Sequence, residues 1–150
     1  MSNDLKWMLS SDQQFPYQDD KAIELWFKVM KWFKPDVVDY LGDTDDQACY
    51  SKYTKTREML PDAQLFSALG NHDIRIFDYI DKKLPDYASQ VTPEALWSLD
   101  SLGYEYIYYN ELPKRRFGDI HVHHGLSIAD TGAVRKDMND LQISLIRGHS

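Results

Sequence analysis

Val37-Val38-Asp39-Tyr40-Leu41-Gly42-Asp43-Thr44-Asp45-Asp46 is a short apolar run that breaks at a glycine into a cluster of carboxylates. Such a run, bounded by turn residues, reads as a buried strand delivering Asp43 to its carboxyl end. The same arrangement recurs on both sides. Leu5 to Ser10 is a strand candidate ending in Ser11-Asp12, and Gln64 to Leu69 is another, ending in Gly70-Asn71-His72-Asp73. Between the first two, Ile23, Trp26, Phe27, Met30 and Phe33 recur at helical spacing on a segment opened by Asp19-Asp20 and closed before Pro35. A polar stretch reaching Leu60 predicts a second helix, and a third is expected after Asp73. Strand tips about thirty residues apart have the length of βαβ units, which predicts a parallel sheet with right-handed crossovers. All three polar clusters then emerge on the sheet edge where open α/β folds bind ligands.

From Thr92 the pattern changes. A short helix near Glu94 to Leu99 precedes a strand from Gly103 to Tyr108, whose alternating Tyr104, Tyr106 and Tyr108 read as core packing. Lys114 to Phe117, a Gly118-Asp119 turn and Ile120 to His124 form a hairpin that ends in His123-His124-Gly125. A helix from Ala133 to Leu141 leads to a last strand, Gln142 to Ile146, ending in Arg147-Gly148-His149-Ser150. The expected fold is an α/β layered sandwich, a central mixed β-sheet flanked by helices, in one domain over residues 1–150.

The bulk composition agrees with a globular chain: 43% of its 150 residues are hydrophobic and 13% aromatic. A formal charge of −7 argues against whole-surface attraction to nucleic acid or anionic membrane. Cys49 stands alone and has no intrachain disulfide partner, and Asn3-Asp4-Leu5-Lys6 lacks the form of a secretory leader, so a cytoplasmic location is expected. Lys28, Lys31 and Lys34 interrupt the most apolar helix candidate, which leaves no run near the roughly 20 residues a membrane helix needs.

Five expected strand ends carry Asp12, Asp43, Asn71, His124 and His149, a set of carboxylate, amide and imidazole donors. Two divalent ions roughly 3.5–4 Å apart need one bridging ligand, and a carboxylate can bridge where an imidazole cannot. Asp43, in the middle of the set, is the natural bridge. The mixture of imidazole with carboxylate points to Mn, Fe or Zn rather than to an all-oxygen cation.

In order, Asp12-Gln13-Gln14, Gly42-Asp43-Thr44-Asp45-Asp46, Gly70-Asn71-His72-Asp73, His123-His124-Gly125 and Gly148-His149-Ser150 resemble the motif series of the calcineurin-like metallophosphoesterases. That series is D-x-H, G-D-x-x-D, G-N-H-D/E, H-G and G-H-x-H. Ser11 to Asp19 is also similar to members found in phage genomes. The resemblance implies a metal-dependent hydrolase that cleaves phosphate esters with a hydroxide held between two divalent ions. Asp12 and Asp43 would hold the first ion, with Gln14 in place of the usual histidine. Asp43, Asn71, His124 and His149 would hold the second. His72 would protonate the leaving alkoxide, with Asp73 orienting it. The second histidine of G-H-x-H would follow Ser150, so the domain is expected to be incomplete at its carboxyl end. The implied substrate is a phosphoprotein, a nucleotide or a nucleic acid.

Two other readings stay open: a DNA nuclease using Lys114, Arg115 and Arg116 for backbone contacts, and a catalytically weak metal-binding remnant. Asp45 and Asp46 compete as helix caps, and a solvated hairpin is the ordinary meaning of the Lys114-Arg115-Arg116 run. His123 is a fallback for His124, His121 is expected to be packed or solvated, and Cys49 is given no role.

Overall fold

The computed structural model of the chain describes residues 4–11, 13, 19–43, 48–109, 111–125 and 132–148, with the backbone alone at 48, 49 and 114–117. The first helix, α1 (Asp20–Phe33), starts where Asp19 accepts the amides of Lys21 and Ala22 at 2.9 and 3.3 Å. A side-chain cap of this kind stabilises a helix by ~1 kcal/mol. The helix stops at Lys34, left-handed at φ 48°, whose amide bonds to the Met30 carbonyl just before Pro35.

Four strands, β1 (Trp7–Ser10), β2 (Val37–Tyr40), β3 (Gln64–Ala68) and β4 (Tyr104–Ile107), form a wholly parallel sheet in sequence order. Met8, Val38, Leu65 and Tyr104 share one row across it. The connections are α1, α2 (Ala48–Met59), and α3 (Arg75–Lys83) followed by a 3-10 turn over Pro85–Gln90 and α4 (Pro93–Trp97). The central strand β2 is buried throughout, as expected of a parallel strand covered on both faces. Over it, Tyr40, Tyr53 and Tyr104 pack ring against ring, and their hydroxyls bond to Thr56 Oγ1, Ser67 Oγ and the Tyr53 carbonyl. Arg57 ties α2 to the strand starts, donating to the carbonyls of Pro61, Ala63, Leu102 and Gly103.

The mixing of strand directions expected for one central sheet belongs to a second sheet of three strands. Here β5 (Lys114–Phe117) lies antiparallel to β6 (Ile120–His123), because a two-residue turn is too short for a crossover. β7 (Ser144–Arg147) returns parallel to β6 after α5 (Ala133–Leu141). The two sheets meet at the carboxyl ends of their strands. Ser11 Oγ donates to the Gly148 carbonyl at 2.8 Å, and the Gly148 amide donates to the His123 carbonyl at 3.1 Å. A side chain at Gly148 would run into the Leu41 carbonyl. Among the described residues no helix is long and apolar enough to cross a membrane.

Candidate functional site

At the tip of β2 the backbone turns left-handed at two successive residues, Gly42 at φ 89° and Asp43 at φ 51°. Aspartate tolerates this conformation better than most residues. The turn carries the Asp43 carboxylate inward, where it is fully buried. A Cβ at Gly70, on the tip of β3, would collide with that carboxylate. A Cβ at Gly42 would lie 2.5 Å from His124 Nδ1 and 2.8 Å from the Gly70 Cα. Both glycines therefore answer to a close approach of three strand ends. Asp43 Oδ1 accepts the His72 amide at 3.0 Å, and Asp73 Oδ2 accepts the Gly70 amide at 2.7 Å, closing the Gly70-to-Asp73 turn.

His124 completes the arrangement from the second sheet. Its Nδ1 lies 2.6 Å from the Leu41 carbonyl, which can only accept, so Nδ1 carries the proton. The other nitrogen, Nε2, faces Asn71 Oδ1 at 3.0 Å and Asp43 Oδ2 at 3.2 Å. Burial is the largest influence on Asp43 and opposes its charge. The His124 hydrogen bond, the His72 amide and the attraction of both rings together outweigh it, and hold the carboxyl below its ordinary range. Nε2, an amide oxygen and a carboxylate oxygen thus face one another. All three offer electron pairs, so their close approach calls for a positive charge among them, either a proton on Nε2 or a metal cation. The set suits a divalent cation of the Mn, Fe or Zn kind. The Nδ1–H bond to a backbone carbonyl is the support that ligating histidines ordinarily have.

Among the described residues no three His, Cys, Asp or Glu side chains come together; the third donor here is the Asn71 amide. Asp12, Gln14 and His149 lie outside the described residues, as do Asp45 and Asp46. Their sequence neighbours Ser11 and Gly148 are hydrogen-bonded to each other beside Leu41. His123, the fallback ligand, is buried with its Nδ1 accepting the Gly125 amide at 2.9 Å. Burial pushes its pKa down against the opposing pull of the Glu111 carbonyl, which favours the neutral ring. His121 is half-exposed and donates from Nδ1 to the Asp119 carbonyl at 3.1 Å. Lys114, Arg115 and Arg116 lie on β5, and Cys49 lies on α2.

Two features of the site carry no recognisable motif in the sequence. Tyr109, just past β4, places its ring 6.0 Å from that of His124 and 6.1 Å from that of His123. Burial raises its hydroxyl pKa. Arg147 forms a buried ion pair with Asp137 of α5 at 2.9 Å, and its guanidinium packs so closely on Gly125 that a Cβ there would meet Nε at 2.5 Å. The pair braces the Gly125 turn that follows His124. Tyr109 stands at a fourth strand end, but the run Tyr104 to Tyr109 conceals it among core tyrosines.

The fold is thus an α/β chain whose parallel sheet is flanked by helices. No protein-family model matches the sequence, and no solved structure matches it. The chain is similar to the Gene 54 protein of Mycobacterium phage D29, at 30% identity over 62% of this chain and 47% of that protein. It spans about half the length of that relative.

Proposed function

We propose that this chain is a metallophosphoesterase of the calcineurin-like class, hydrolysing a phosphate ester at the joined ends of its two sheets. The single observation that supports this reading is the convergence of Asp43 Oδ2, Asn71 Oδ1 and His124 Nε2, with His124 Nδ1–H committed to Leu41. Asp43, Asn71 and His124 would hold one divalent cation with His149, and Asp43 would share a second with Asp12 and Gln14. Bound cations of the Mn, Fe or Zn kind supply Lewis-acid activation of water and neutralise phosphate oxygens. The similarity to a phage protein is compatible with a phage-type member.

In this reading the remaining demand is protonation of the leaving alkoxide, and His72 meets it from the Gly70-to-Asp73 turn. Its amide is tied to Asp43, and Asn71 precedes it in the same turn, so the acid is fixed beside two of the proposed cation ligands. Asp73 acts on His72 by closing that turn through Gly70. Turnover of p-nitrophenyl phosphate and bis(p-nitrophenyl) phosphate with excess Mn²⁺ tests the proposal. It should vanish with chelator and fall at least ~100-fold in Asp43→Asn. His72→Ala should lose far more rate on an alkyl phosphate than on the nitrophenyl esters. Chelator-insensitive hydrolysis, or equal losses on both leaving groups, would count against it.

A further inference from the structure

At the opposite end of the parallel sheet, α1 and α2 enclose a groove of about 780 Å³. Its lining includes Lys34-Pro35-Asp36, leading into β2, and Leu60 to Ala63, leading into β3. Phe27, Met59 and Leu60 supply apolar lining, and Lys28, Lys31, Lys34 and Lys55 stand among the other lining residues. Lys55 holds its ammonium 4.0 Å from the centre of the Phe27 ring. Three carboxylates also line the groove, but two are engaged: Glu24 pairs with Lys28 at 3.6 Å, and Asp36 accepts the Lys6 amide at 2.9 Å. Among the described residues no carboxylate pairs with Lys31, Lys34 or Lys55. A chain of net charge −7 thus gathers cations around one apolar groove.

The apolar surface continues past the groove. Leu25, Val29 and Trp32, at spacings of four and three, share one stripe of α1 and are 60%, 40% and 81% exposed. Lys28 lies between this ridge and the groove on the helix. A contiguous exposed apolar stripe marks an interaction surface where scattered single residues would not, and tryptophan is among the side chains that most often anchor interfaces. A small ligand would fill the groove and leave the ridge uncovered. We propose that this face docks an acidic protein segment bearing apolar side chains at helical spacing. Its apolar groups cover Trp32 and enter the groove, and its carboxylates meet Lys31, Lys34 and Lys55. Because the groove lies at the amino ends of the strands, such a partner leaves the Asp43 edge open.

Fluorescence polarisation with a labelled Leu/Glu peptide patterned as an amphipathic helix tests this, beside a Leu/Lys and a Ser/Glu peptide. The chain should bind the Leu/Glu peptide, with affinity falling as salt rises, and bind the other two at least ~10-fold more weakly. The double variant Lys31→Glu/Lys55→Glu, and separately Trp32→Ala, should each lose at least ~10-fold. Lys82→Glu/Lys83→Glu, outside the groove, should keep the affinity; thermal melting of each variant reports its folding. Absent binding, equal binding of the Ser/Glu peptide, or equal loss in the Lys82/Lys83 variant would overturn the proposal. Self-association in sedimentation that Lys31→Glu/Lys55→Glu abolishes would overturn it in favour of a second copy. Binding to phosphatidylserine vesicles with none to the peptide would overturn it in favour of a lipid surface.

Discussion

His124 Nε2 lies 3.2 Å from Asp43 Oδ2, and neither side chain reaches solvent. The two residues come from different sheets, 81 positions apart in the chain. Their meeting depends on what surrounds them: the Leu41 carbonyl fixes which imidazole nitrogen is turned inward, and Gly42 and Gly70 leave room for the ring and the carboxylate.

The glycines are therefore expected to be irreplaceable. Gly42→Ala combines a left-handed φ of 89° with a Cβ 2.5 Å from His124 Nδ1. Backbone strain and overpacking each cost about 1–3 kcal/mol, so denaturant unfolding should show a loss of at least ~2 kcal/mol. Gly118, at φ 54° with open space around it, provides the contrast, and Gly118→Asn should cost under ~1 kcal/mol. Equal costs would mean that the glycines do not mark a close approach.

Much of this was legible in the sequence because local and global signals agree there. α1 carries its cap, its apolar face and its stop before Pro35 in the order that physics requires, and β2 is an unbroken apolar run because both its faces are covered. Asp43, Asn71 and His124 each stand beside a glycine in the sequence, and the close contacts at Gly42, Gly70 and Gly125 give a physical reason for those glycines. α2 was only a polar stretch, since it buries Lys52, Tyr53 and Thr56 in place of aliphatic residues. Its inward face is hydrogen-bonded, and Lys52 lies 3.8 Å above the Tyr40 ring. Arg147 and Asp137 carry no sequence signal, because a buried ion pair between a helix and the next strand leaves no periodic trace. The division into two sheets was also hidden, as strand patterns do not tell which edges pair.

The Asp137–Arg147 pair should be far more costly to break than its neighbour on the same helix. Removing one partner of a buried pair leaves a charge without compensation, and Asp137→Ala should destabilise by about 3–5 kcal/mol. Lys136 and Asp140, also paired but 61% and 59% exposed, are screened by solvent, so Lys136→Ala should be nearly silent. Urea titrations of both variants check this.

His123 makes stability depend on pH in a definite direction. Its folded pKa lies below the ordinary imidazole value because burial disfavours the charged ring. The unfolded chain therefore binds more protons at this site than the folded one, and stability falls as pH drops through about 6.5 toward the folded pKa. In His123→Asn the side-chain oxygen can replace Nδ1 as acceptor for the Gly125 amide, but it does not titrate. The difference in unfolding free energy between pH 7.5 and 5.5 should shrink in this variant; an unchanged difference would assign the pH dependence to other groups.

Calorimetric titration of the metal-free chain with Mn²⁺, beside His124→Asn, tests the account most directly. Asparagine there can still donate to Leu41 but no longer offers Nε2, so the turn is preserved while one ligand is removed. The wild-type chain should bind Mn²⁺ and bind it more weakly as pH falls, since protons compete for the same imidazole. His124→Asn should weaken binding at least ~100-fold without unfolding the protein, a loss larger than those usual for the outer groups that support a ligand. Equal Mn²⁺ affinity in the two proteins, or no binding by the wild type at millimolar Mn²⁺, would contradict a metal centre built on Asp43, Asn71 and His124.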